Sequence, residues 1–212
     1  MSEKRQSAFN AQFSGLAAEN GGRISAAANI IYHKSGGLIM NQVLEVIKTR
    51  RGVKEYLDKP VPKELIDQII EAGLWAASGR NKQPQTFLVF TNKEEIDRLR
   101  EANHSFQRAE GDPFYGAPAV ITVLCRKDSV SPDCDGALAI GNMMIAAKAL
   151  GLGSRWINRA KEVFMLGEWK TYLEKLGLDP EGYIGIGNMI LGYPANDPEP
   201  APRVEGRVFY ID

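Results

Sequence analysis

Reactive and metal-ligating side chains are scarce in this 212-residue chain, which has two cysteines, Cys125 and Cys134, and two histidines, His33 and His104. Two thiols sustain no disulfide framework, and these few residues lack metal-ligand spacing, so no metal site is expected. Such usage fits a reducing compartment, and a cytoplasmic location is expected. Charge of one sign is missing too, since 26 Lys plus Arg balance 26 Asp plus Glu. Without a net field, neither nucleic acid nor an anionic membrane is an expected partner, and any positive potential must be local. Long apolar runs are absent: residues 137–153 come nearest, but Asn142 and Lys148 interrupt them and their period is helical. A bilayer needs roughly twenty apolar residues in a row. Gly151-Leu-Gly153 and Gly185-Ile-Gly187 lack the G-x-G-x-x-G spacing, so a Rossmann-type nucleotide site is not expected.

What is present, 44% hydrophobic and 25% charged residues, suits one globular core. Residues 1–39 are rich in Ser, Ala, Asn and Gly with weak amphipathic order, and they lack the layout of a signal peptide. They are expected to be an N-terminal extension outside the fold, arising from an upstream start choice, with residues 40–212 forming the domain. From Met40 the pattern sharpens. Val43, Leu44, Val46 and Ile47 form a helical stripe ending at Arg50-Arg51-Gly52, and Leu65 to Ala76 form a second amphipathic helix closing near Ser78-Gly79. Strands are expected at 86–90, 119–124 and 183–191, an extended piece at 154–157, and helices at 93–102, 133–150 and 164–176, the last broken by Gly167. The 133–150 helix is apolar around most of its circumference, which predicts a central position. A Pro-rich arm follows, and 207–211 reads as a closing edge strand. Without regular β-α alternation, the fold class is α+β.

Two local features carry chemistry. Arg50, Arg51 and Lys54 gather at a helix end, where cations face the negative dipole end. Guanidinium forks also hold phosphate oxygens, and Gly52 permits close backbone approach. The loop Ser78-Gly-Arg-Asn-Lys-Gln-Pro-Gln85 offers small residues and the amides of Asn81 and Gln83, which match the donor and acceptor edge of a flavin ring. Arg203 and Arg207 form a second basic pair beyond the Pro-rich arm. Cys125 and Cys134 read as structural thiols.

Together these segments resemble the nitroreductase-like flavoprotein family. The resemblance rests on Arg50-Arg-Gly-Val-Lys54, Asp58-Lys-Pro-Val-Pro62, Ser78-Gly-Arg-Asn-Lys-Gln-Pro84 before a strand, Ala117-Pro118, Ala147-Lys-Ala-Leu-Gly-Leu-Gly-Ser154 and Gly192-Tyr-Pro194 with its basic tail. It implies a central, mostly antiparallel sheet flanked by helices, in a homodimer with a C-terminal arm exchanged between subunits and FMN at the interface. By that likeness, Arg50, Arg51, Gly52 and Lys54 contact the FMN phosphate, ribityl chain and pyrimidine end. Ser78, Gly79, Asn81 and Gln83 belong to a loop reaching the other subunit's flavin; Trp156, Ile157 and Asn158 lie near N5; Arg203 and Arg207 close on the phosphate. Gly52 stands where many relatives have Ser, Lys54 where Arg is common, and Gln85 where an aromatic is usual, so substrate preference is expected to diverge there.

The implied activity is an NAD(P)H-dependent FMN oxidoreductase, with NAD(P)H as co-substrate and a nitroaromatic, quinone or related small molecule as electron acceptor in ping-pong order. Flavin N5 carries the chemistry and no protein group is catalytic in its own right; Lys54 and Asn158 would support it. Two alternatives are a specialised relative acting on one substrate such as an enone, and a flavin-binding protein without turnover. Bleaching by a reduced nicotinamide separates the enzymes from the binding protein.

Overall fold

Strand β2 (Ala119–Arg126) decides the architecture, because every residue from Ala119 to Cys125 is buried. A strand buried on both faces must have a layer on each side, and alternation sorts its side chains between them. Ala119, Ile121 and Val123 face one core, while Val120 and Leu124 face another. The computed structural model describes residues 41–106 and 110–211; the expectation for residues 1–39 falls outside them.

The described residues form one body from Val43 onward. In chain order they give α1 (Gln42–Thr49), α2 (Lys63–Leu74), a 3₁₀ turn at Gly79–Asn81, β1 (Gln85–Phe90), α3 (Lys93–His104), β2, α4 (Pro132–Ala149), β3 (Gly153–Ile157), α5 (Ala160–Val163), α6 (Gly167–Lys175) and β4 (Tyr183–Gly192). The sheet runs β1-β2-β4-β3, each pair antiparallel. Helices α2 and α4 cover the face of Ile121 and Met189, through Ile66, Ile69, Ile140, Met143 and Ala147. Helices α3, α5 and α6 cover the other, where Leu99, Phe114, Trp169 and Leu173 pack on Phe90, Val120 and Ile190. The α+β class and the antiparallel sheet are as expected.

A register shift between Val123 and Leu124 leaves Ile186 unpaired opposite them and turns it onto α4 at Gly136. Gly185 lies so close to the backbone of Ala160 that no side chain fits between them, which seats α5 directly on β4.

Several expectations need correction. The second helix ends at Leu74, with Trp75 as its exposed C-cap, not at Ser78. Residues 207–211 form no strand, because the ladder has no position for them within this chain and their side chains lie exposed. Helix α4 buries one stripe, Gly136, Ala139, Ile140, Met143 and Ala147, and leaves Leu138 half exposed, so it is central on one side only. The break in the last helical region falls before Gly167, where extended Leu166 starts α6. Cys125 is buried, but Cys134 is exposed in the first turn of α4.

Candidate active site

The loop after α1 is laid along β3 and builds a basic cradle. Gly52 forms an isolated parallel bridge with Ser154, and Val53 N donates to Ser154 O at 3.2 Å. A Cβ at Gly52 would sit 3.2 Å from Arg155 Nη1, the flexible end of a side chain that reaches across toward Gly52 O at 3.5 Å. The missing Cβ therefore makes room first for a neighbouring guanidinium. Arg50 lies with Arg51, Lys148, Gly153 and Ser154 around a narrow cleft. Burial lowers the pKa of Arg50, and the like charges of Arg51 and then Arg203 lower it further. The charge of Arg203, some 150 residues further along the chain, is thus felt at Arg50.

Arg51 serves two ends. Its Nη1 donates to Lys48 O at 2.6 Å and Arg50 O at 2.8 Å, capping α1 in the ordinary way for a cation at a helix C-terminus. Its Nε is buried without a partner, and so is the Ser154 hydroxyl, 2% exposed. Among the described residues, Arg50, Arg51, Lys54, Arg155 and Arg203 take part in no ion pair. Of the cradle's cations, Lys148 pairs with Asp197 at 3.7 Å, and the arginines are left without a carboxylate, a clustering that is costly unless an anion balances it. The chemistry of this donor set fits a phosphate ester.

A wider cleft of about 730 Å³ adjoins it, lined by Asp112, Tyr115, Arg155, Trp156, Asn158 and Arg159 among others. Tyr115 is held in a left-handed turn, φ 53°, by Asp112, whose carboxylate accepts from Phe114 N at 2.8 Å and Gly116 N at 2.7 Å. Cations flank its ring, with Lys54 Nζ 5.9 Å and the Arg155 guanidinium carbon 5.5 Å from the centroid. Trp156 Nε1 donates to Asn158 Oδ1 at 2.7 Å, and the Trp156 indole lies over Gly187. The cleft thus combines a flat apolar wall with positive charge at one side, a form that suits a planar polar ring.

The loop at Ser78–Gln85 lies elsewhere. Gly79 N donates to Asp135 Oδ1 at 2.9 Å, and Gln85 Nε2 donates to Asp135 O at 3.2 Å, so both ends are tied to the first turn of α4. Within it, Gln83 N donates to Ser78 Oγ and Gln83 Nε2 to Asn81 Oδ1. Arg80, Asn81 and Gln83 are all left-handed, with φ of 53°, 53° and 47°. Lys148 of the basic cradle is thirteen residues further along α4, about 20 Å at the helical rise. One chain therefore brings Arg50, Arg51, Gly52 and Lys54 beside the segment of Trp156, Ile157 and Asn158, with the charge of Arg203 felt at Arg50, and ties the loop of Ser78, Gly79, Asn81 and Gln83 to the first turn of α4 instead. Arg207 is not drawn in; its Nε donates to Val204 O at 2.9 Å within the exposed tail.

Sequence reasoning missed Ser154, Arg155, Tyr115 and Asp135. Ser154 and Arg155 begin the extended piece after the Gly151-Leu-Gly153 cap, and a strand start beside a basic loop was the available signal. Tyr115 and Asp135 gave none, because a turn tyrosine and a first-turn helix aspartate are commonplace in sequence.

Basic cradle, flat cleft and three-layer α+β fold define a protein built to hold a planar phosphorylated ligand at one end of its sheet. The chain belongs to the Nitroreductase family, whose model matches residues 47–193. It is 33% identical over 175 residues to a candidate NADH dehydrogenase/NAD(P)H nitroreductase of Methanothermobacter thermautotrophicus, covering 80% of this chain and 86% of that one. It is 27% identical over 188 residues to an NAD(P)H FMN reductase of Bacillus subtilis, covering 78% and 71%. Among solved structures it resembles a nitroreductase with bound FMN from Bacteroides fragilis, with TM-score 0.74 and 27% identity over 82% of this chain and all of that one.

Proposed function

We propose that this chain is an NAD(P)H-dependent FMN oxidoreductase that reduces a small planar acceptor, a nitroaromatic or quinone, in ping-pong order. The observation that carries the cofactor is the cradle: cations without ion pairs at Arg50, Arg51 and Arg203, beside the buried, unpartnered Arg51 Nε and Ser154 Oγ. FMN would take a hydride from NAD(P)H and pass the electrons to the acceptor. In this reading Arg50, Arg51 and Arg203 hold the phosphate, with Ser154 Oγ donating to the ribityl side. Tyr115 and Trp156 wall the ring cleft. Lys54 and Arg155 bring positive charge to one side of it, where negative charge develops on reduction. Of the charged residues lining the cleft, Asp112 is engaged by backbone N–H groups and Arg159 by Glu162.

The second half of the site comes from a partner chain in this reading. The loop at 78–83 is tied to the first turn of α4, about 20 Å along the helix from Lys148 of the cradle, and in this reading it meets the flavin of another copy. The exposed apolar residues of α1 and the tail supply a surface for that copy.

The test is direct. The purified chain should be yellow, bleach anaerobically with NADH or NADPH, and recover its colour with a nitroaromatic or quinone. Failure to bleach with both nucleotides sinks the enzymatic reading, and a protein that cannot be loaded with FMN sinks the cofactor as well.

A further inference from the structure

Asn103 sits in the last turn of α3 with none of its surface exposed, packed among apolar residues of the α3 layer. A buried carboxamide must spend its donors, and this one reaches across 55 residues of sequence: Nδ2 donates to Asn158 O at 2.8 Å. The Asn158–Arg159 peptide is trans, as are all those described. In a planar trans peptide the N–H points opposite to the C=O. With the Asn158 carbonyl turned inward to α3, the Arg159 N–H is turned outward, on the side where Asn158 and Arg159 line the 730 Å³ cleft. No acceptor for that N–H exists among the described residues.

Three further contacts keep the peptide from turning over. Arg159 is left-handed at φ 83°, a backbone that an L-residue with a long side chain adopts only where its surroundings dictate it. On one side Trp156 Nε1 ties Asn158 Oδ1; on the other, α5 begins at Ala160, whose backbone is pressed onto Gly185. The Arg159 guanidinium is held by Glu162 at 2.7 Å, so its charge is paired there.

We propose that Asn103 is a positioning residue: it fixes the Asn158–Arg159 peptide so that the Arg159 N–H is a preorganised hydrogen-bond donor to the polar edge of the flavin ring. The inference rests on the FMN reading above. Aimed at a carbonyl oxygen of the ring, where negative charge grows on reduction, a fixed N–H costs no reorganisation and favours the reduced state; N5 gains its own N–H on reduction and would no longer accept from it. The phosphate cradle anchors the cofactor independently of it.

The experiment uses the FMN-loaded chain, the variants Asn103→Leu and Asn103→Ala, and one measurement on the unaltered protein. Asn103→Leu keeps the branched shape and removes the donor, and Asn103→Ala removes the donor without adding bulk; proline at 159 is no substitute, since its ring excludes a φ of 83°. Each should slow anaerobic reduction by NADH or NADPH at least about tenfold, as loss of a preorganised donor does. The flavin midpoint potential should move to a more negative value, while the FMN dissociation constant, set mainly by the cradle, changes less than about threefold. In the unaltered protein the Arg159 amide resonance should shift when FMN is titrated in. Unchanged rate and potential in a folded variant overturn the proposal. If neither variant folds, an Arg159 amide that ignores FMN overturns it. An unaltered chain that takes up no FMN overturns the function proposed above and this inference with it; one that takes up FMN and is reduced, while the variants behave as wild type, overturns this inference alone.

Discussion

At the residue scale, Arg50 and Arg203 carry the sharpest expectation, because their proximity is repulsive without an anion. Replacing both with Ala should weaken FMN retention, each lost charge-assisted bond contributing about 1.5 to 3 kcal/mol. Fluorescence titration of FMN measures it, and an unchanged affinity would place the phosphate elsewhere. Arg159 makes a separate prediction about stability. Gly tolerates the φ of 83° that strains an Arg, so Arg159→Gly should raise the unfolding free energy by about 1 kcal/mol. The lost surface pair with Glu162 offsets only a fraction of that. Urea denaturation would read the gain. The thiols differ as well. Burial, and after it the charges of Asp135 and Asp133, push Cys125 up to about 12, whereas Cys134 is exposed. A thiol reagent at neutral pH should therefore label Cys134 alone in the native protein and both cysteines after unfolding, as peptide mass mapping would show.

At the element scale, the loop at 78–85 depends on the first turn of α4. Asp135 is 2% exposed and its Oδ1 accepts from Gly79 N and from Ser131 Oγ at 3.2 Å, so one side chain holds a loop with three left-handed residues. Asp135→Ala leaves the Gly79 N–H without its acceptor and should cost about 1 to 3 kcal/mol. Asp135→Asn keeps a carbonyl acceptor at the same place and should recover most of that stability. Equal losses in the two variants would show that the charge, not the acceptor, holds the loop. Gln85 belongs to the same device: its amide is tied to Asp135 O, so the departure from an aromatic at this position serves the loop's anchorage within its own chain.

At the scale of the whole molecule, exposed apolar side chains form two groups, Val43, Leu44 and Ile47 on α1 and Val208, Phe209, Tyr210 and Ile211 in the tail, while Leu57, Trp75, Val130, Leu138, Met165 and others are scattered singly or in pairs between them. Large side chains left in water in such groups mark an association surface. The protein should sediment at twice its chain mass, and removal of residues 204–212 should shift it toward the monomer and weaken FMN binding in parallel. A truncated chain that stays dimeric and keeps its FMN would assign the tail no part in either.

Most of the elements could be read from the chain alone, as could Arg50, Arg51 and Lys54 of the site, whereas Arg155 could not and the closing strand at 207–211 did not form. Helical stripes, a continuously apolar strand at 119–125 and the Gly, Pro and Asn breaks were legible because they report local periodicity and turn chemistry. The family followed from motifs strung in order along the chain. Only the tertiary structure decided what meets what. That Gly52 lies against Ser154, that Arg155 and Lys54 flank Tyr115, and that Asn103 grips the Asn158 carbonyl are contacts between segments brought together by a sheet of order β1-β2-β4-β3. The same packing put the 78–85 loop at one end of α4 and the cradle at the other. Local pattern has no access to such distances, because they are set by how two cores close on both faces of one sheet.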